Sequence, residues 1–313
     1  MSTISLVLPV YNEEENLPKL FAELQKLIAK LPNEEVELIF VDDGSHDRSY
    51  EILTGFAQQY PFVKTVSFSR NFGHQIAFTA GIDHATGDAV IVLDSDLQDP
   101  PEVALQMIEQ WRGGAAVIYA KRRKRPEDES WLKKTTAHWY YRILNRLSDI
   151  PIPTDTGDFR LMDRKVVEEL KRCREHSRYM RGLTSFVGFP QTAIFYDRHE
   201  RFAGKPKYKL FKQSLKLALD GLTGFSAKPL RLISYIGFVT ALLSFLGIIY
   251  AIFMKIFFPE ITVSGFTLTI IAIFFIGGMQ MLILGIIGEY IGRIYIEAQN
   301  RPLYIVKHKM NLD

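Results

Sequence analysis

The sequence predicts an α/β domain on a mostly parallel sheet, followed by a two-helix membrane hairpin. Three observations carry this. Short apolar runs alternate with longer amphipathic segments through residues 1–204. Several of those runs end in dense polar clusters. Two long charge-free stretches then follow late in the chain of 313 residues.

Residues 4–10 read as the first strand and 14–31 as the helix behind it. Residues 36–41 are the second strand and 48–59 its helix. Further strands follow at 63–68, 89–93 and 115–120. The runs end in Pro9-Val10-Tyr11-Asn12-Glu13, Asp42-Asp43-Gly44-Ser45, Ser69-Arg70-Asn71-Phe72-Gly73, Asp94-Ser95-Asp96 and Lys121-Arg122-Arg123. In an open α/β sheet, ligands bind outside the carboxyl ends of the strands, so these five clusters are expected to converge on one crevice.

Asp94-Ser95-Asp96-Leu97-Gln98-Asp99-Pro100-Pro101 is the focus. Two carboxylates one residue apart repel unless a cation joins them. Asp94 and Asp96, backed by Gln98, are suitable oxygen ligands for Mg²⁺ or Mn²⁺, which leave part of their shell to water and substrate phosphate. Taken alone, the same residues also fit a plain strand-to-loop turn ended by Pro100-Pro101. Neither G-x-G-x-x-G nor a P-loop occurs, so a bound nucleotide is expected to rest on carboxylates, a metal and basic side chains.

Residues 121–125 are five consecutive cations, open to reading as a solvated face or as phosphate contact by Arg122. Residues 131–148 read as a basic, aromatic helix suited to core or to a membrane surface. Around Gly157 a tight turn is expected. Asp158 and Arg160 there are either a structural ion pair or part of a site. Residues 201–208 place Arg201, Lys205 and Lys207 in a Gly- and Pro-containing loop that suits an anionic ligand. From Tyr208, apolar Phe211, Leu215, Leu219 and Leu222 form a stripe beside Lys209, Lys212 and Lys216, the pattern of an interfacial helix.

Residues 232–254 and 261–288 carry no charge over 23 and 28 positions. At about 1.5 Å per residue each spans a hydrocarbon core of about 30 Å. The net charge of +3 divides into −4 over residues 1–204, +6 over 205–231 and +1 over 232–313. A mildly acidic body with a basic collar excludes a typical nucleic-acid binder and suits a soluble domain held on an anionic bilayer. The collar, with Arg293, Arg301, Lys307 and Lys309 beyond the second span, sets both ends in the cytoplasm. No signal peptide is expected at the N-terminus. One cysteine, Cys173, allows no internal disulfide. His74 and His199 read as structural or solvated residues.

The Pro9-to-Glu14, Asp42-to-Ser45, Asp94-to-Glu102 and Gly157-to-Leu161 motifs together resemble the family 2 glycosyltransferases. More narrowly they are similar to the polyisoprenyl-phosphate glycosyltransferases related to dolichol-phosphate mannose synthase, and among these to the bactoprenol glucosyltransferases of O-antigen (lipopolysaccharide) glucosylation. The likeness runs through Gly288-Glu289-Tyr290-Ile291-Gly292-Arg293 and so covers nearly the whole chain. It implies a GT-A fold at 1–204, a basic juxtamembrane segment at 205–230, two transmembrane helices at 231–289 and a cytoplasmic tail at 290–313.

The same resemblance implies a nucleotide-sugar donor, UDP-glucose, a polyprenyl phosphate acceptor in the membrane lipid, and a homo-oligomer, a tetramer. Pro9, Tyr11, Glu13 and Asp42 would hold the nucleoside with Asp43 close by. Asp94, Asp96 and Gln98 would hold the metal. Arg122, Arg201 and Lys207 would contact phosphates, and Asp158 with Arg160 would lie on the catalytic acceptor side. The tryptophans sit in no Gln-x-x-Arg-Trp motif, which points to a single transfer rather than polymerisation. The rival expectations are the same reaction with mannose or a modified arabinose, a membrane protein that binds or flips lipid-linked sugars without chemistry, and a soluble nucleotidyltransferase.

Overall fold

From Ile4 onward the first strand, β1 (Ser2–Val10), is buried on both faces, as the near-continuous apolar strand of a parallel sheet must be. The computed structural model describes residues 2–123, 156–197, 228–257 and 266–312. The expected helices at 131–148 and from Tyr208, the basic collar up to residue 227, Arg201, Lys207 and His199 lie outside those residues.

β1 is flanked in parallel by β2 (Glu34–Asp42) and β4 (Ala89–Val92), and β3 (Val63–Phe68) pairs in parallel with β2. Helices α1 (Leu17–Ala29), α2 (Ser49–Gln59) and α3 (His74–His84) make the crossovers, and α4 (Val103–Arg112) follows β4. The chain leaves β1 toward β2 on one side and returns to β4 on the other. The β1/β4 boundary is therefore the switch point where an open sheet gapes.

The remaining strands are β5 (Val117–Arg122), β6 (Thr156–Asp163) and β7 (Gln191–Tyr196), with α5 (Arg164–Arg172) and α6 (Met180–Phe186) between the last two. β6 enters antiparallel between β4 and β5. The expected turn at Gly157 is thus the start of a strand. Its register pairs Val92 with Arg160, and two further steps set Asp158 across from Asp94.

Both faces of the sheet are covered. Ile4, Leu6 and Leu8 pack with Leu17, Leu20, Leu24 and Leu27 of α1, while Val7, Ile39 and Val41 pack with Ala77 and Phe78 of α3 and with Val166, Met180 and Leu183. The helix α3 lies so close to β1 that a Cβ on Gly81 would fall 2.0 Å from a Val7 methyl.

Two long helices follow, α7 (Lys228–Phe257) and α8 (Phe266–Ala298). Large apolar side chains stand exposed on both, Phe238 and Met281 each at 70%. Among the described residues one stretch, Phe275–Ala298, is long and apolar enough to cross a membrane. The expected span end at residue 289 falls inside α8, which runs on to Ala298. The tail beyond it forms β8 (Val306–Met310), antiparallel to β3, and completes an eight-stranded sheet in the order β7-β5-β6-β4-β1-β2-β3-β8.

The tail is also tied by side chains. The Tyr304 hydroxyl donates to Asp83 at 2.9 Å and its ring stacks on Phe68. The Asn311 amide donates to the carbonyls of Ala57 and Val63. These contacts fix the tail beyond the apolar helix against the α/β body.

Candidate active site

A crevice of about 860 Å³ opens at the β1/β4 switch point. Pro9, Tyr11 and Glu13 from the β1 end line it, with Asp43 from the β2 end, Asn71 to Gly73 from the β3 end and Asp94 to Asp96 from the β4 end. Asp158 of β6, Arg181 of α6 and Arg293 of α8 complete the wall. Four of the five strand-end clusters therefore meet in one place.

The loops are laced together locally. Asn12 takes a left-handed φ of 52°, a conformation its short polar side chain tolerates. This turns its backbone N–H onto Ser45 Oγ (2.9 Å), while its side-chain oxygen accepts the His46 N–H (2.7 Å). Glu13 N–H donates to Ser49 Oγ (2.8 Å), so residues 11–16 stay a loop and α1 begins only at Leu17. Asp43 accepts the Phe72 and Gly73 N–H groups at 2.6 and 3.0 Å and so fastens the β2 and β3 ends to each other. Burial pushes the Asp43 carboxyl up to about 6, against the pull of those two bonds.

The charged centre is built from three elements. His74 Nε2 lies 3.4 Å from Asp94 Oδ1 and 3.3 Å from Asp158 Oδ2. The Arg181 Nε–H donates to Asp158 Oδ1 at 2.9 Å, and the Gln75 amide donates to Asp158 Oδ2 at 3.0 Å. Burial alone would raise the Asp158 carboxyl, but Arg181, His74 and Arg160 outweigh it and hold it well below the usual carboxylate range. Burial would lower His74, yet Asp94 and Asp158 raise it to about 9. Burial pushes Asp94 up to about 6, with His74 opposing and the neighbouring aspartates adding to the rise.

Asp94 and Asp96 both face the crevice, and Asp94 Oδ1, 3.4 Å from His74 Nε2, accepts no hydrogen bond. Two hard oxygen donors of this kind fit Mg²⁺ or Mn²⁺. Among the described residues no group of three or more His, Cys, Asp or Glu side chains gathers around one ion position, so water and phosphate would complete the shell.

Four expected site residues are not in the crevice lining. Asp42, 2% exposed, accepts the Ser45 N–H and the Ser67 hydroxyl and braces the loop that carries Asp43. The Gln98 N–H donates to Asp96 Oδ1 at 3.1 Å, fixing that carboxylate from behind. Arg122 ends β5, its guanidinium beside Gly157. Arg160, 3% exposed, donates to Thr184 Oγ1 (2.8 Å) and to the carbonyls of Gly157 and Asp158. Of the two expectations for Asp158 and Arg160, the structure shows the ion pair, with Arg160 Nη2 3.9 Å from Asp158 Oδ1. The guanidinium also ties β6 to α6 through Thr184.

Conversely, Gln75 and Arg181 were not singled out in the sequence, His74 was expected to be structural or solvated, and Arg293 was expected as a cytoplasmic-side cation ending the Gly288-to-Arg293 likeness; all four line the crevice. His74 follows a strand-end cluster directly, while Arg181 and Arg293 come from elements remote in sequence.

The chain matches the model of glycosyl transferase family 2 over residues 5–171 and that of the GtrB C-terminal hairpin over residues 228–294. It is 50% identical over 309 residues to the "Uncharacterized glycosyltransferase YkcC" of Bacillus subtilis, covering 99% of this chain and 94% of that one. It is 45% identical over 304 residues to the "Prophage bactoprenol glucosyl transferase homolog" of Escherichia coli, covering 97% and 98%. The "Bactoprenol glucosyl transferase" of Shigella phage SfII is also 45% identical over 304 residues, covering 97% of each chain. With a family match over more than half its length and relatives this similar from end to end, the chain belongs to glycosyl transferase family 2, and its mixed, mostly parallel sheet is a GT-A fold.

Proposed function

We propose that the protein transfers one glucose from UDP-glucose to undecaprenyl phosphate, with inversion, at the cytoplasmic face of the membrane. The observation that carries this reading is the composition of one crevice: paired aspartates at the sheet's switch point, a carboxylate held ionised by Arg181 and His74, and a wall supplied by an apolar helix. The bactoprenol glucosyl transferase names of close relatives support the acceptor and the sugar.

The loops after β1 and β2 receive the nucleoside, and Asp94 with Asp96, braced by the Gln98 N–H, would hold Mg²⁺ or Mn²⁺. Such an ion, when bound, supplies the charge that steadies a departing diphosphate. The acceptor's phosphate oxygen forms the new bond to the anomeric carbon. The bond from that carbon to the diphosphate breaks, and its electron pair leaves with the nucleoside diphosphate. Attack from the opposite face converts an α-linked donor to a β-linked product.

A phosphate monoester has its second pKa near about 6 and is largely dianionic at neutral pH, so no strong base is needed. Asp158, held ionised, then serves to fix Arg181 and His74 and to orient the acceptor. The spans at 231–289 and the basic segment at 205–230 hold the crevice at headgroup level, where both substrates are within reach. Both chain ends stay in the cytoplasm in this arrangement.

The test is incubation of the full-length protein with undecaprenyl phosphate, Mn²⁺ and radiolabelled nucleotide sugars in competition. A glucosyl lipid from UDP-glucose is expected. Product only from another sugar nucleotide changes the donor, and no lipid product from any of them removes the transferase reading of this acceptor.

A further inference from the structure

The end of α8 does more than anchor the chain. Glu289, Gly292, Arg293 and Ile296 recur three and four residues apart, so they share one helix face, and all four line the crevice that holds Asp94, Asp96 and Asp158. The helix is fastened in that position by His176, whose N–H donates to Glu297 at 2.7 Å and whose ring contacts Glu297 at 3.0 Å and the Arg301 carbonyl at 2.7 Å. Arg293 is therefore a guanidinium carried to the crevice by the apolar helix itself, and the Arg181 that α6 supplies lines the same crevice.

Arg293 Nη2 meets Glu289 Oε1 at 3.0 Å, with the glutamate about half exposed. A pair of this kind, four residues apart on one helix, is weak enough to give way to a doubly charged anion with several acceptor oxygens. Space exists for one: the crevice that these residues line has a volume of about 860 Å³. Toward the apolar part of the helix and on the same face as Arg293 stand Ile286, half-buried, and Phe275, 60% exposed. A hydrocarbon chain lying along that surface brings its head group to Arg293. The nucleoside end of the crevice, at Pro9 and Asp43, belongs to other strand ends.

We infer that Arg293, together with Arg181, seats the phosphate of a polyprenyl phosphate led in along α8. The identity of the acceptor rests on the transfer reading above, but the seat itself is a property of binding and is measured without turnover.

The full chain in detergent is titrated with a short-chain polyprenyl phosphate, the matching polyprenol and UDP. Arg293→Gln is expected to weaken the phosphate about 10-fold or more while leaving the alcohol and UDP unchanged. Arg293→Lys should recover part of the loss, and Glu289→Gln should bind the phosphate no more weakly than the parent. Equal loss of phosphate and alcohol in both Arg293→Gln and Glu289→Gln would mean that the pair only shapes the helix, and would overturn the seat. So would a parent protein that binds phosphate no better than alcohol, or an Arg293→Gln effect confined to UDP. A parent that discriminates through Arg293 yet transfers no sugar leaves the seat standing and removes the proposed reaction instead.

Discussion

His74 Nε2 sits 3.3 Å from Asp158 Oδ2, joining the first residue of α3 to the third residue of β6. The contact bridges a helix start and a strand that lie 84 positions apart in the sequence. It also places a cation between Asp158 and Asp94, whose carboxylates would otherwise repel each other in a partly buried space. The expected outcomes below follow from this arrangement and from the elements that hold it.

Asp96→Ala removes one of the two crevice carboxylates proposed to hold the metal. Sugar transfer is expected to fall by about 10²-fold or more, because the charge that steadies the leaving diphosphate is lost. Far-UV circular dichroism should be unchanged. Near-normal turnover by this variant would remove the metal role of the pair.

Arg160→Met tests the buried guanidinium. The change leaves Thr184 Oγ1 and two backbone carbonyls without their donor. A loss of about 2–4 kcal/mol in urea unfolding of the full chain is expected. An unchanged midpoint with abolished transfer would instead place Arg160 among the reacting groups.

Gly44→Ala tests the turn that carries Asp43. Gly44 has φ +68°, and a Cβ there would lie 2.5 Å from the Arg70 carbonyl carbon. Strain plus displacement of the β3 loop should cost about 1–3 kcal/mol and weaken UDP binding together. Calorimetric binding that is unaltered in the variant would show that Asp43 does not need this loop geometry.

His176 gives a pH dependence. Its two ring nitrogens face acceptors, Glu297 Oε2 and the Arg301 carbonyl, and a neutral imidazole has only one N–H to give. The hydrogen bond that its ring donates to Glu297 is the main cause that raises its pKa above the ordinary 6.5. A raised folded value means that its stabilisation is full below about 6.5 and fades as pH climbs through the higher folded value. Amide exchange in β8, corrected for intrinsic rates, should therefore quicken across that window, and His176→Gln should flatten the dependence. Equal pH response in the variant would show that this tie does not hold the tail.

Much of the α/β framework was legible because burial on both faces forces nearly unbroken apolar runs. Val63–Phe68 begins and ends where its sequence pattern does, and the clusters after β1 to β4 mark the ligand-binding edge without any contact being known. Gly157 and Asp158 misled in one respect. Glycine beside a charge reads as a turn, and only pairing with β5 and β4, both remote in sequence, makes the segment a strand. The segment at 290–313 was expected only as a cytoplasmic tail. Its strand, Val306–Met310, has no strong apolar alternation and is fixed by the open edge of β3.

The sequence alone determined that Asp94, Asp96, Asp43 and the Pro9-to-Glu13 segment stand at strand ends, since period and polarity are local properties of a chain. Tertiary structure decided which cations meet them. His74 and Arg181 reach Asp158 from α3 and α6, and Arg293 lines the same crevice from α8, while Arg160 gives its hydrogen bonds to Thr184 and to the Gly157 and Asp158 carbonyls. Electrostatic partnership depends on distance in space, and no spacing along the chain encodes that distance until the sheet has set its register.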